Sequence, residues 1–146
     1  MKTKFDVKKI KDIKADVVTS VSFEDQVEQK LQWLNTLYKG NLETLIETND
    51  FKGTANSAVI SYINGETKCK RLLLAGLGLS KEVTLNKLRN AYAYAAKKAS
   101  SLKLSSAAFE IPDLALIKNI INVSYYELMQ AICEGVLLTQ YNTKKY

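Results

Sequence analysis

Hydrophobic and polar positions divide the chain into segments of two alternating periods. Residues 15–23, ADVVTSVSF, are β-branched and alternate, so they predict a strand. The period then changes over EDQVEQKLQWLNTLY, where Val27, Leu31, Leu34 and Tyr38 recur at helical spacing. Glu24, Asp25 and Glu28 crowd the first turn, where the helix dipole favours acids. Gly40 is the expected stop, and Asn41 is the expected N-cap of a second short helix, NLETLIETND.

FKGTANS is a turn-rich loop, and AVISYI at 58–63 is a strand. Asn64-Gly65 is a hairpin signal that returns TKCKRLLLAGL antiparallel to it. The apolar run 72–77 does not alternate, which predicts a strand covered on both faces. Thr84 caps the next helix, with Leu85, Leu88, Tyr92, Ala95 and Ala99 as its buried stripe. Its alanines at 91–96 raise helix propensity and allow close approach to a sheet. SSAAFEI at 105–111 is a strand ended by Pro112, and DLALIKNII is either a helical turn or a strand. Ser124 and Glu127 form a capping box, and the helix behind it places Tyr125, Leu128, Met129, Ile132 and Val136 on one face. KFDVKKI at 4–10 alternates weakly, as an edge strand can. There is no repeat, low-complexity tract or linker. The pattern predicts one α/β domain over residues 1–146, a three-layer sandwich with a mixed central sheet and helices on both faces.

Composition narrows the class. At 47% hydrophobic and 25% charged, the 146 residues make a globular chain. The net charge is +6, and residues 2–14 hold six lysines. The lysines are otherwise dispersed, and Arg71 and Arg89 are the only arginines, so the charge reads as solvated surface and no nucleic-acid partner is expected. Cys69 and Cys133 lie inside apolar patterns, which predicts buried free thiols and a reducing compartment. MKTKFDVKKIKDIK lacks a signal-peptide core, and no apolar run approaches the roughly 20 residues that span a bilayer. A soluble cytoplasmic protein without a membrane partner is expected.

Catalytic groups are scarce. There is no histidine, which removes the commonest general base and zinc ligand. The six Asp and nine Glu fall mostly at helix starts, loops and polar faces, and no pair has a spacing that demands a site. No catalytic residue and no metal ligand is assigned. Gly76-x-Gly78 ends a strand before a helix, as a dinucleotide turn does. Such a turn needs a third glycine and an acid about 20 residues on. Lys81 occupies the third position, and AAKKAS near 98 holds no acid. Gly76 and Gly78 therefore stand as candidates for bringing backbone near an anion, against the plainer reading of a tight exit turn. Of the eight tyrosines, Tyr125 fits the core stripe. Tyr141 and Tyr146 lie past the capped helix, where they either pack on something outside this chain or fray.

These pieces, in order, resemble the N-terminal domain of the leucine (cytosol) aminopeptidases, a two-metal exopeptidase family. The resemblance is carried by KADVV, DFKG at 50–53, KRLLLAGLG at 70–78, LNKLRNAYAYAAKKA at 85–99 and AICEGVLLTQYNTKKY at 131–146. It implies a macro-like fold and a chain that stops where the catalytic domain begins. The family's two divalent metals, such as zinc or manganese, sit on a lysine and carboxylates in a segment with no counterpart here. The resemblance thus implies no cofactor in this chain, and a scaffold or oligomerisation role. The implied partners are a catalytic domain or other subunits, including copies of itself. The competing expectation is a stand-alone macro-like module binding a nucleotide or ADP-ribose near Gly76 and Gly78.

Overall fold

A computed structural model describes residues 12–65 and 67–144, the last seven by backbone alone. The expected strand at 4–10, and Tyr146, lie outside the described residues. The elements run β1 (Val17–Ser22), α1 (Val27–Leu37), α2 (Glu43–Thr48), β2 (Ala58–Tyr62), β3 (Arg71–Gly76), α3 (Leu85–Ser101), β4 (Ala107–Phe109), α4 (Leu114–Ile120) and α5 (Tyr125–Lys144). The sheet order is β2-β3-β1-β4. β1 pairs parallel with β3, from Val18↔Leu72 to Ser22↔Gly76, and parallel with β4, from Val17↔Ala107 to Thr19↔Phe109. β2 runs antiparallel to β3, with Ala58 opposite Ala75 and Tyr62 opposite Arg71. This is the expected mixed sheet.

Alternation along β1 and β3 sends neighbours to opposite faces. Val18, Leu72 and Leu74 pack under Val27, Leu31 and Leu34 of α1 and Leu45 of α2. Val21 and Ala75 pack on the other face, under Leu88, Tyr92 and Ala95 of α3 and Ile117, Leu128 and Ile132 of α4 and α5. The two clusters make the three layers. Each fully buried leucine contributes about 1.5–3 kcal/mol relative to exposure.

α3 is capped as expected, its Thr84 Oγ1 accepting from the Lys87 N–H at 3.1 Å. The Ser124–Glu127 box also forms: Glu127 N–H donates to Ser124 Oγ at 3.1 Å, and Ser124 N–H to Glu127 Oε1 at 3.2 Å. DLALIKNII is helical, because Asp113 Oδ1 accepts from Leu116 N–H and caps it at the N-terminal end.

Four local expectations differ. Asn41 does not cap α2, whose N-cap position is Leu42. Its amide instead donates to the carbonyls of Tyr38 and Asn64, and its Oδ1 accepts from Asn64 N–H at 3.2 Å. Asn64-Gly65 is not a two-residue hairpin. Ile63 and Cys69 are both buried, so the connection must widen to carry them inward before β3 begins. Tyr125 is 48% exposed, under the Lys118 ammonium at 4.6 Å from its ring centroid, and does not join the core stripe. α5 also continues through Lys144, so Tyr141 lies within it.

Gly135 sets how closely α5 lies on α3. A Cβ there would stand 2.3 Å from the Arg89 carbonyl oxygen and 3.0 Å from Tyr92 Cβ. Arg89 Nε and Glu134 Oε2 tie the same helices at 3.1 Å. Gly135→Ala is therefore expected to lower stability by about 1–3 kcal/mol from overpacking, despite the roughly 1 kcal/mol that alanine gains in helix propensity. A thermal melt decides, and an unchanged or raised midpoint would deny the close contact.

Two buried tyrosines give a second test. Tyr92 donates to the Glu110 carbonyl at 2.5 Å, whereas the Tyr38 hydroxyl is buried without a partner among the described residues. Burial foremost, then the charges of Cys69 and Glu110, pushes the Tyr38 phenol up from 10.0 to about 12. A raised folded pKa holds its stabilisation below pH 10.0 and loses it as pH rises through about 12. Tyr38→Phe should raise the melting midpoint at pH 7 and weaken the loss between pH 10 and 12. Tyr92→Phe should cost about 1–2 kcal/mol.

Candidate functional site

Where the chain leaves β1 it turns into α1 on one face, and where it leaves β4 it turns into α4 on the other. The two carboxyl ends diverge and leave a crevice, the position at which open α/β sheets take ligands. A cavity of about 290 Å³ lies there. Phe23, Leu77, Ile111 and Pro112 give it an apolar wall, and Trp33, Gln26 and Gln29 of the α1 side face them. Lys30, Glu110 and Asp113 are its charged residues.

Glu110 braces the floor. Its Oε1 accepts from Ser20 Oγ at 2.9 Å, Val21 N–H at 3.1 Å and Lys30 Nζ at 2.6 Å. One carboxylate oxygen thus joins the end of β4, the middle of β1 and the side of α1. The Lys30 ammonium also lies 4.8 Å from the Trp33 ring centroid, and Trp33 is 46% exposed.

The sequence candidates stand beside this cavity rather than in it; only Leu77, between them, lines it. Gly76 lies against the loop before β2, where a Cβ would meet Thr54 O at 2.1 Å. Its N–H donates to Ser57 O at 3.0 Å, and Gly78 N–H donates to Gly53 O at 3.0 Å. Leu77 N–H donates to Ser22 O at 2.9 Å. Every N–H of the Gly-Leu-Gly turn therefore has a protein acceptor. Gly78 has φ +80°, and its carbonyl accepts from Glu24 N–H at 2.8 Å. What holds the turn is close backbone packing. Nearby, Asp25 accepts from the Ser80 hydroxyl at 2.6 Å and the Ser80 N–H at 2.8 Å, which holds its carboxyl below the usual range.

Sequence patterning missed Glu110, Lys30 and Trp33 as a group, because β4 and α1 are 80 positions apart at the Lys30–Glu110 pair. A glutamate directly after an apolar strand and before Pro112 was the available signal. Among the described residues, no three His, Cys, Asp or Glu side chains gather closely enough to hold a metal ion. Cys69 and Cys133 are free thiols, the first buried and the second half-buried, with burial pushing the Cys133 thiol up.

The layers and the crevice define a macrodomain-like module. The solved macrodomain of Mycobacterium tuberculosis DarG superposes with a TM-score of 0.61, over 92% of this chain and 89% of that one, at 6% identity. Residues 17–146 match the model of the cytosol aminopeptidase family, N-terminal domain, and the chain belongs to that family. A probable cytosol aminopeptidase of Sulfurihydrogenibium sp. (strain YO3AOP1) is 30% identical over 148 residues, covering 100% of this chain and 28% of the relative. Another, from Nostoc punctiforme, is 33% identical over 126 residues, covering 85% of this chain and 24% of the relative. The chain thus spans about a quarter of the length of the curated relatives it matches.

Removing the Glu110 carboxylate tests the brace. Glu110→Ala leaves Ser20 Oγ, Val21 N–H and Lys30 without their acceptor, and is expected to destabilise by about 2–3 kcal/mol. Chemical denaturation measures this, and a change below experimental error would remove Glu110 from the structural account.

Proposed function

We propose that this chain acts as a non-catalytic N-terminal module of a metallo-aminopeptidase: a rigid scaffold that docks to a catalytic domain or to other subunits in the cytoplasm. The use to which the acids are put carries this reading. Metal-dependent hydrolysis needs carboxylates free to converge on ions. Here Asp16 accepts from the Ser105 and Ser106 N–H groups, Asp25 holds Ser80, and Asp113 and Glu127 cap helices. Glu110 and Glu134 pair with Lys30 and Arg89. Each is placed by the fold to hold the fold.

The outer surface supports docking. Tyr126 is 76% exposed and Tyr125 48%, at the corner where α4 meets α5, and Ile120 and Leu137 are also exposed on those two helices. Aromatic side chains on rigid helices are effective interface anchors, since they bury much area for little lost rotamer freedom. No helix among the described residues is long and apolar enough to cross a membrane.

The test is enzymatic. The purified chain, supplied with manganese or zinc, is expected to release no leucine from leucine amide. Turnover that copurifies with the chain and disappears on chelation would overturn the reading.

A further inference from the structure

Asn64-Gly65 makes no two-residue hairpin, and it serves neither the crevice nor the α4–α5 corner. It is the only place where glycine follows any of the chain's ten asparagines. The Cγ of an asparagine can be attacked by the backbone nitrogen of the next residue. That chemistry needs an accessible side-chain amide, an unengaged N–H and no side chain in the way, and glycine supplies the last. Both residues are exposed. Gly65 has φ +98°, and a Cβ built on it would meet nothing within 4 Å. Asn64 is held through its main chain: its N–H donates to Asn41 Oδ1 at 3.2 Å, and its carbonyl accepts from Asn41 Nδ2 at 3.1 Å. The Asn64 side-chain amide and the Gly65 N–H make no hydrogen bond to another described residue. The other asparagines are protected. Asn35, Asn86, Asn90 and Asn119 stand in helices, where side chains tilt toward the N-terminus and away from the following nitrogen. The Asn41 amide is engaged, and Asn49, Asn56 and Asn122 are followed by residues that carry a side chain.

We propose that Asn64-Gly65 is a site of spontaneous backbone modification, whose product undoes the Asn41 latch between the α1–α2 connection and the β2–β3 connection. The Gly65 nitrogen gives its proton to hydroxide, and its electron pair forms a bond to Asn64 Cγ. The Cγ–Nδ2 bond breaks, and Nδ2 takes a proton from water and leaves as ammonia. A five-membered imide remains, and water opens it at either carbonyl. Opening at Cγ gives aspartate. Opening at the main-chain carbonyl gives isoaspartate, with the chain routed through Cβ and Cγ. Water is the co-reactant and ammonia the leaving group, and nothing is oxidised or reduced. In isoaspartate the carbonyl that Asn41 Nδ2 binds has become a carboxylate outside the main chain, and the path to β3 is longer by one carbon. The new charge arises beside Lys70, whose ammonium donates to the Gly65 carbonyl. The modified chain therefore carries one unit less than its net charge of +6. This chemistry is independent of the docking role.

The test incubates the whole chain at mildly alkaline pH and follows it by cation exchange and by peptide mass mapping with fragmentation. An earlier-eluting species should accumulate, and faster as pH rises, because the attacking nitrogen must lose its proton. Fragmentation should place the exchange of NH for O at Asn64, in aspartyl and isoaspartyl forms. Its rate in the folded chain should match that of the same residue in guanidinium, while Asn56 and Asn122 stay intact in the folded chain. Asn64→Gln should abolish the species, since the longer side chain closes its ring far more slowly. The purified isoaspartyl chain should melt below Asn64→Asp, which bears the same charge on an unaltered backbone. An Asn64 that keeps its amide in the folded chain but reacts in guanidinium would overturn the site, and so would modification led by another asparagine. An isoaspartyl chain that melts together with Asn64→Asp would overturn the loss of the latch.

Discussion

The structure depends on β1 being enclosed on every side. All six of its residues are buried, both its edges are hydrogen-bonded, and both neighbours run parallel to it. Parallel neighbours cannot be joined by a tight turn; each needs a crossover. The crossover to β3 carries α1 and α2, and the crossover from β3 to β4 carries α3. Since β3 and β4 flank β1 on opposite sides, the connecting helices cover opposite faces. The three layers follow from that one demand.

The enclosure of β1 also explains its unusual content. Thr19, Ser20 and Ser22 are buried in what is otherwise an aliphatic strand. Small hydroxyl side chains leave room for close-packed helices, and two of them find partners. Ser20 reaches Glu110, and Ser22 reaches the Phe23 carbonyl. Where β1 and β4 end, the same arrangement opens the crevice. The chain departs to opposite faces, so among the described residues the gap is lined by Phe23, Leu77, the α1 side and the Glu110–Asp113 turn. The brace and the cavity are two consequences of one topology.

Much of the fold was legible. The β-branched run 15–23, the apolar run 72–77 and the alanine-rich helix behind Thr84 each have local signals that agree with their tertiary place. Both helix caps at Thr84 and Ser124 formed, because a cap is a contact between residues three apart. Asn41 failed as a cap for the opposite reason: its partner, Asn64, is distant in sequence and close in space. Tyr125 failed because helical spacing gives a face but not its width, and α3 covers α5 through Leu128, Ile132 and Gly135 instead.

By itself the sequence determined the succession of strands and helices, the free thiols, the absence of histidine, and the order of motifs that marks the family. These depend on residue type and on spacings of a few positions, which local physics reads directly. Only the tertiary structure decided that the Gly-Leu-Gly amides are occupied by carbonyls of Ser57, Ser22 and Gly53, and that Lys30, Trp33, Glu110 and Asp113 share one crevice. Both facts arise where separate strand ends meet. The strand order that brings those ends together is set by which faces must be buried, a property of the whole sheet that no short stretch contains.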